Sequence, residues 1–146
     1  MNKYMNLAVE HAKIAFHNSD VPVGAVIVKN NEIIAACHNK KNTDNVAIYH
    51  AEILCIIEAC KKIGSWYLND CDIYVTLRPC NMCLYALAEA RISNVYYLLD
   101  SDYDKNLNSN FNNINISSID DIYEYSSLIK DFFKNLRDKN DVSRET

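Results

Sequence analysis

The chain reads as an α/β domain of three layers, with helices on both faces of a central mixed sheet of about five strands. Three observations lead there. Apolar residues recur at helical spacing in several segments, and between these lie short β-branched runs of strand length. Strands separated by helices imply a sheet packed between helices. With 146 residues, 49% of them hydrophobic, the chain has the size of one domain around one core. Two glycines and two prolines leave no low-complexity linker to divide it, and no internal repeat is present. One domain over 1–146 is expected, with its core at about 4–137 and a disordered tail at 138–146.

The elements follow in order. Tyr4 to His17 places Tyr4, Leu7, Ala8, Ala12, Ala15 and Phe16 at helical spacing, and Pro22 ends any continuation. Gly24 to Lys29 is a β-branched apolar run. Asn30-Asn31 tolerates positive φ, so Glu32 to Cys37 returns as the second strand of a hairpin. Lys40 to Asp44 is a polar loop. His50 to Ile63 is helical, with Gly64 placed to terminate it. Asp72 to Leu77 is a third strand, and Pro79 sets the entry to a helix over Cys80 to Ala90. Val95 to Leu99 is a fourth strand, parallel to the third because a helix joins them. Ser101 to Asn113 is an Asn-rich loop, and Ile114 to Ile116 a short fifth strand. Ser118 and Asp121 form a capping pair for a last helix with Ile119, Ile122, Ile129, Phe132, Phe133 and Leu136 on one face.

Composition narrows the function. No apolar run approaches the roughly 18 residues that cross a bilayer. Met1 to Phe16 carries Lys3, Glu10 and Lys13 and does not resemble a secretory signal, so a cytoplasmic protein without a membrane partner is expected. In that setting the six cysteines are reduced thiols or metal ligands rather than a disulfide framework. Cys37, Cys55 and Cys60 lie in apolar runs and Cys71 opens one, which marks them as core thiols. A net charge of −4 argues against a general nucleic-acid binder. The stretch from Asp100 to Glu124 is acidic, while the segment from Lys130 onward mixes both signs.

Two motifs carry chemistry: His50-Ala51-Glu52 and Pro79-Cys80-Asn81-Met82-Cys83. Each opens a predicted helix. Cys80 and Cys83 are three apart, so their thiolates share one side of a first turn. An imidazole with two thiolates suits zinc, and three protein ligands leave a fourth position for water, the pattern of a catalytic site. Zinc would make that water acidic near neutral pH. Glu52, two residues from His50, can approach the water without binding metal and carry its proton to a ring nitrogen and then to a leaving amine. Alone, His-x-Glu is common by chance, and Cys-x-x-Cys also serves redox pairs and structural zinc. A structural site needs two further ligands, and no second Cys-x-x-Cys or His-x-x-x-His occurs. The joint pattern matches the signature of zinc nucleobase deaminases.

Beyond that signature, the chain resembles the cytidine deaminase-like superfamily, and within it the bacterial tRNA-specific adenosine deaminases. The resemblance rests on Val21-Pro22-Val23-Gly24-Ala25-Val26-Ile27-Val28, Asn39, the two motifs, Tyr74-Val75-Thr76-Leu77, Arg91-Ile92 and Asp131-Phe132-Phe133, and runs from about Tyr4 to Arg137. It implies one zinc per chain on His50, Cys80 and Cys83, with Glu52 as the acid/base and Asn39 touching the nucleoside. It further implies a homodimer, and a tRNA anticodon loop whose wobble adenosine becomes inosine. Lys40, Lys41, Arg78 and Arg137 are the cations expected to meet RNA, with Lys134 and Lys139 near the last of these. Deamination of a free base or nucleotide such as guanine or cytosine is the alternative, and an inactive deaminase-fold binding subunit a third reading. The chain departs from the family in several places. Arg78 stands where glutamate is usual, and Val46-Ala47-Ile48-Tyr49 replaces Asp-Pro-Thr-Ala. Leu84-Tyr85 replaces a small pair, where bulk obstructs close helix packing. Asp100, Asp102 and Asp104 occupy a loop that is usually basic and glycine-rich. The loop change bears on the grip on RNA and leaves the zinc chemistry untouched.

Overall fold

The computed structural model describes residues 2–101 and 110–145. Helix α1 spans Lys3–His17, with Asn2 Oδ1 accepting from the amides of Tyr4 (2.9 Å) and Met5 (3.1 Å). Strands β1 (Gly24–Lys29) and β2 (Glu32–His38) form the expected hairpin, with Asn30 and Asn31 at φ 51° and 61°. Helix α2 (Ala51–Ile63) stops at Gly64, which takes the left-handed φ of 79° that a side chain resists. Strand β3 (Cys71–Leu77), helix α3 (Asn81–Glu89) and strand β4 (Asn94–Leu99) complete the crossover.

Two differences arise beyond β4. Within the expected 101–113 loop, Asn110–Phe111 forms a short strand β5 that pairs with β6 (Ile114–Ser118). Asn112-Asn113 joins them at φ 47° and 68°, repeating the turn chemistry of Asn30-Asn31. Asp102 and Asp104 lie outside the described residues. Helix α4 spans Tyr125–Glu145 and so starts later than Ser118-Asp121 suggested. Asp121 does act near its start, accepting from the amides of Tyr125 and Ser126 at 2.9 Å each, but Ile119 and Ile122 precede the helix. At the other end the α4 backbone continues to Glu145.

The sheet runs in the order β2-β1-β3-β4-β6-β5: five full strands and the two-residue β5 at one edge. Strands β3, β4 and β6 run parallel to one another, and the two hairpins and the β1–β3 pair are antiparallel. Side chains alternate across the sheet, so it has two cores. One face packs Ala25, Ile27, Ile73, Val75 and Val95 against Cys55 and Ala59 of α2 and Leu84 and Leu87 of α3. The other packs Val26, Val28 and Leu98 against Met5, Ala8 and Val9 of α1 and Tyr125 of α4. At Gly24 α1 packs directly on the sheet backbone, since a Cβ there would lie 1.8 Å from Ala8 O. Leu84 is buried, whereas Tyr85 points outward and meets the ring of Phe111 edge-on at 4.9 Å, so β5 accommodates its bulk.

Candidate metal centre and its surroundings

Parallel β3 and β4 with α3 between them leave the N-terminus of α3 beyond the carboxyl end of β3, where α/β sheets place their sites. The N-terminus of α2 meets it there. His50 is the N-cap of α2 and Cys80 the N-cap of α3, and neither side chain bonds to its own helix. Both are poor capping residues, and their side chains face one another instead. His50 Nδ1 lies 3.8 Å from Cys80 Sγ and 3.6 Å from Cys83 Sγ, and the three donor atoms fall within 4.8 Å of each other. A tetrahedral ion with bonds of about 2.0–2.3 Å needs ligand atoms about 3.5–3.8 Å apart, so this donor set fits zinc in both spacing and chemistry.

The electrostatics favour a thiolate at Cys80. Hydrogen bonds from Cys83 and His50 pull the Cys80 thiol down to about 4. The same bond to Cys80, together with burial, pushes Cys83 up, and hydrogen bonding to Cys80 raises His50. Glu52 sits in the first turn of α2, 4% exposed, and burial lifts its carboxyl to about 7. Its Oε1 is a buried oxygen with no hydrogen-bond partner among the described residues. Native interiors pair such atoms with protein groups, ordered water or a bound ion.

Asn39 is buried, and the backbone engages both ends of its amide. Nδ2 donates to Val21 O (3.1 Å), and Oδ1 accepts from Lys41 N (3.0 Å). It therefore ties the loop after β2 to the strand entry at 21–23, with one Nδ2 hydrogen left for a second acceptor. Lys40 is half-buried and Lys41 exposed on that loop. Arg78 is not an open cation, because its guanidinium lies against Tyr97 and Asp100. Arg137 is exposed, twelve residues or about 18 Å along α4 from Tyr125, and among the described residues no contact links it to the centre.

Three supporting residues had been given no individual role in the sequence. Asp20 is fully buried and accepts from Asn42 N (2.6 Å), Thr43 N (3.2 Å) and the Thr43 hydroxyl, which shapes the loop that carries the lysines. Thr76 Oγ1 accepts from Gly24 N (3.2 Å), and Tyr125 donates to Pro22 O (2.5 Å). Together with Asn39 they pin residues 21–24. The only sequence signal was their polarity within apolar or turn segments, which many solvated residues share.

Fold and centre together define a deaminase-type domain, with a histidine and two cysteines that could hold a metal at the N-termini of two helices, and a buried glutamate. The pattern of the MafB19-like deaminase family matches residues 1–137, and the chain belongs to that family. It is 42% identical over 144 residues to the tRNA-specific adenosine deaminase of Rickettsia felis, covering 91% of this chain and 100% of the relative. The fold is similar to a structure from work on A-to-I editing by tRNA:A34 deaminases at the wobble position, with TM-score 0.73, 32% identity, and 80% of this chain and 97% of that one covered. It is also similar to guanine deaminase from Bacillus subtilis, with TM-score 0.65 and 39% identity over 68% of this chain and 66% of that one.

Proposed function

We propose that the chain hydrolyses the wobble adenosine of a tRNA to inosine, using one zinc held by His50, Cys80 and Cys83 and with Glu52 as the proton carrier. The observation that supports this most is Glu52 itself, whose buried, unpartnered Oε1 sits beside a donor set of zinc spacing. Near-full-length similarity to a tRNA-specific adenosine deaminase supports the substrate. When bound, zinc supplies activation of water near neutral pH. The chain's own residues do the rest. Glu52 takes one proton from the attacking water and gives it to a ring nitrogen, then takes the second from the new hydroxyl at the reacting carbon and gives it to the leaving amine, so that adenosine and water yield inosine and ammonia. The Val21–Gly24 segment, pinned by Asn39, Thr76 and Tyr125, forms a fixed wall, and Asn39 offers its second amide hydrogen to the nucleoside.

The anticodon loop is held by phosphate contacts to Lys40 and Lys41, with Arg137 further out. Two chains act as a homodimer in the cytoplasm. Among the described residues no helix is long and apolar enough to cross a membrane. The alternative expected from the sequence, deamination of a free base, is not favoured by the near-full-length likeness to tRNA-specific adenosine deaminases.

One assay separates the two. Purified chain is given a tRNA panel, guanine and cytosine, and inosine and released ammonia are measured. Inosine at the wobble position supports the first reading, and ammonia from a free base alone supports the second. Reversing charge at Lys40 and Lys41 together weakens RNA binding and flattens its salt dependence, because fewer counterions are released. Free-base turnover is unaffected.

A further inference from the structure

Of the three candidate metal ligands, His50 and Cys80 are N-caps on connections, and Cys80 is the one that leaves a strand directly. Cys83 is built into α3, whereas Cys80 follows β3 by three residues. Pro79 has no N–H, so the Arg78 amide makes the last ladder bond of β3 before the ligand. It donates to Leu99 O at 2.9 Å, one step beyond the Leu77–Leu99 pair.

The Arg78 side chain holds the same junction. Its guanidinium carbon lies 5.6 Å from the centre of the Tyr97 ring, and Nη1 is 3.5 Å from the Tyr97 hydroxyl and 3.6 Å from Asp100 Oδ1. Tyr97 is buried in the core beneath α2 and α3. The Arg78 side chain is 12% exposed and that of Asp100 71%. A planar cation is thus clamped between a buried phenol and a solvent-facing carboxylate. A lysine would keep the charge and lose the flat contact with the ring.

We propose that Arg78 is a positioning residue, and that its clamp on Tyr97 and Asp100 holds the β3–α3 turn so that Cys80 Sγ stays in register with Cys83 and His50 for metal binding. Outer groups that orient metal ligands affect metal retention about 10–100-fold. The inference rests on the metal reading of His50, Cys80 and Cys83. It gives Arg78 a task that does not require RNA.

The test uses the zinc-loaded chain and Arg78→Gln, Arg78→Lys and Asp100→Asn variants. Zinc release to a chromophoric chelator is timed, and the thiolate and d–d bands of the cobalt-substituted forms are recorded. Arg78→Gln releases zinc about 10-fold faster or more, with altered cobalt bands. Arg78→Lys recovers part of the loss. Asp100→Asn, at an exposed position that leaves the fold intact, accelerates release by about two- to three-fold, the scale of a solvent-facing pair. The proposal is overturned if folded Arg78→Gln matches the parent in release rate and cobalt spectrum. Should Arg78→Gln fail to fold, an Asp100→Asn release rate equal to the parent's overturns it. A parent chain without bound zinc refutes the metal reading itself, which its zinc content shows before any variant is compared.

Discussion

Replacing Asp20 by alanine tests how the loop beside the centre is held. The carboxylate is fully buried and accepts from two backbone amides and one hydroxyl, all on residues 42–43. A hydrogen bond to a charged group contributes about 1.5–3 kcal/mol net, so three give an upper figure of about 4–9 kcal/mol. Two corrections lower it. Asn42 and Thr43 are exposed, so water replaces the lost acceptor. The native carboxylate has also given up its hydration, a cost that alanine avoids. The expected loss is therefore about 2–4 kcal/mol, at the high end for single substitutions. Asp20→Asn keeps one acceptor and should lose about half as much. Urea unfolding measures this, with m compared to show that the denatured state is unchanged. Because the same loop carries Lys40 and Lys41, KM for tRNA should rise while zinc content stays that of the parent. A stability change under about 0.5 kcal/mol, the size of a neutral surface substitution, refutes the reasoning.

Other substitutions probe separate parts of the account. Gly24→Ala drives a Cβ into the α1 backbone at Ala8 O, where no side-chain rotation gives relief, so a loss of about 3 kcal/mol or more is expected in thermal unfolding. Tyr125→Phe strands the buried Pro22 carbonyl and should cost about 1–3 kcal/mol in the same measurement, with KM raised as the 21–24 wall loosens. Cys80→Ser and Cys83→Ser should each lose zinc by metal analysis and lose turnover with it, since a hydroxyl is a poor replacement for a thiolate ligand.

Much of this architecture was legible because helix and strand periods differ and because asparagine and glycine mark turns. The Asn30-Asn31 hairpin and the Gly64 stop appear where their φ preferences place them. The Asn112-Asn113 hairpin carries the same signal. It went unread because β5 has only two residues, too few to show a period. Helix α4 was started early since Ile119 and Ile122 mimic helical spacing, although Asp121 caps residues four and five positions on. His50, Cys80 and Cys83 were identifiable by residue type and spacing, and the structure brings them together. Asp20, Thr76 and Tyr125 were not, because their roles depend on partners 22 to 103 residues away that no local pattern reveals. Arg78 was read as an RNA contact from its charge alone, and only the packing of Tyr97 beneath it shows where that charge is engaged.

The central claim is that a zinc centre and Glu52 together deaminate the wobble adenosine. The most direct measurement compares the zinc-loaded parent with zinc-loaded Glu52→Gln on an anticodon stem-loop bearing adenosine at that position, reading inosine against time. The account predicts inosine from the parent, and a rate about 10²–10⁴-fold lower from Glu52→Gln at equal zinc content, because an amide cannot carry the proton. Equal rates from the two proteins, or no inosine from a zinc-loaded parent that deaminates free guanine, would contradict it.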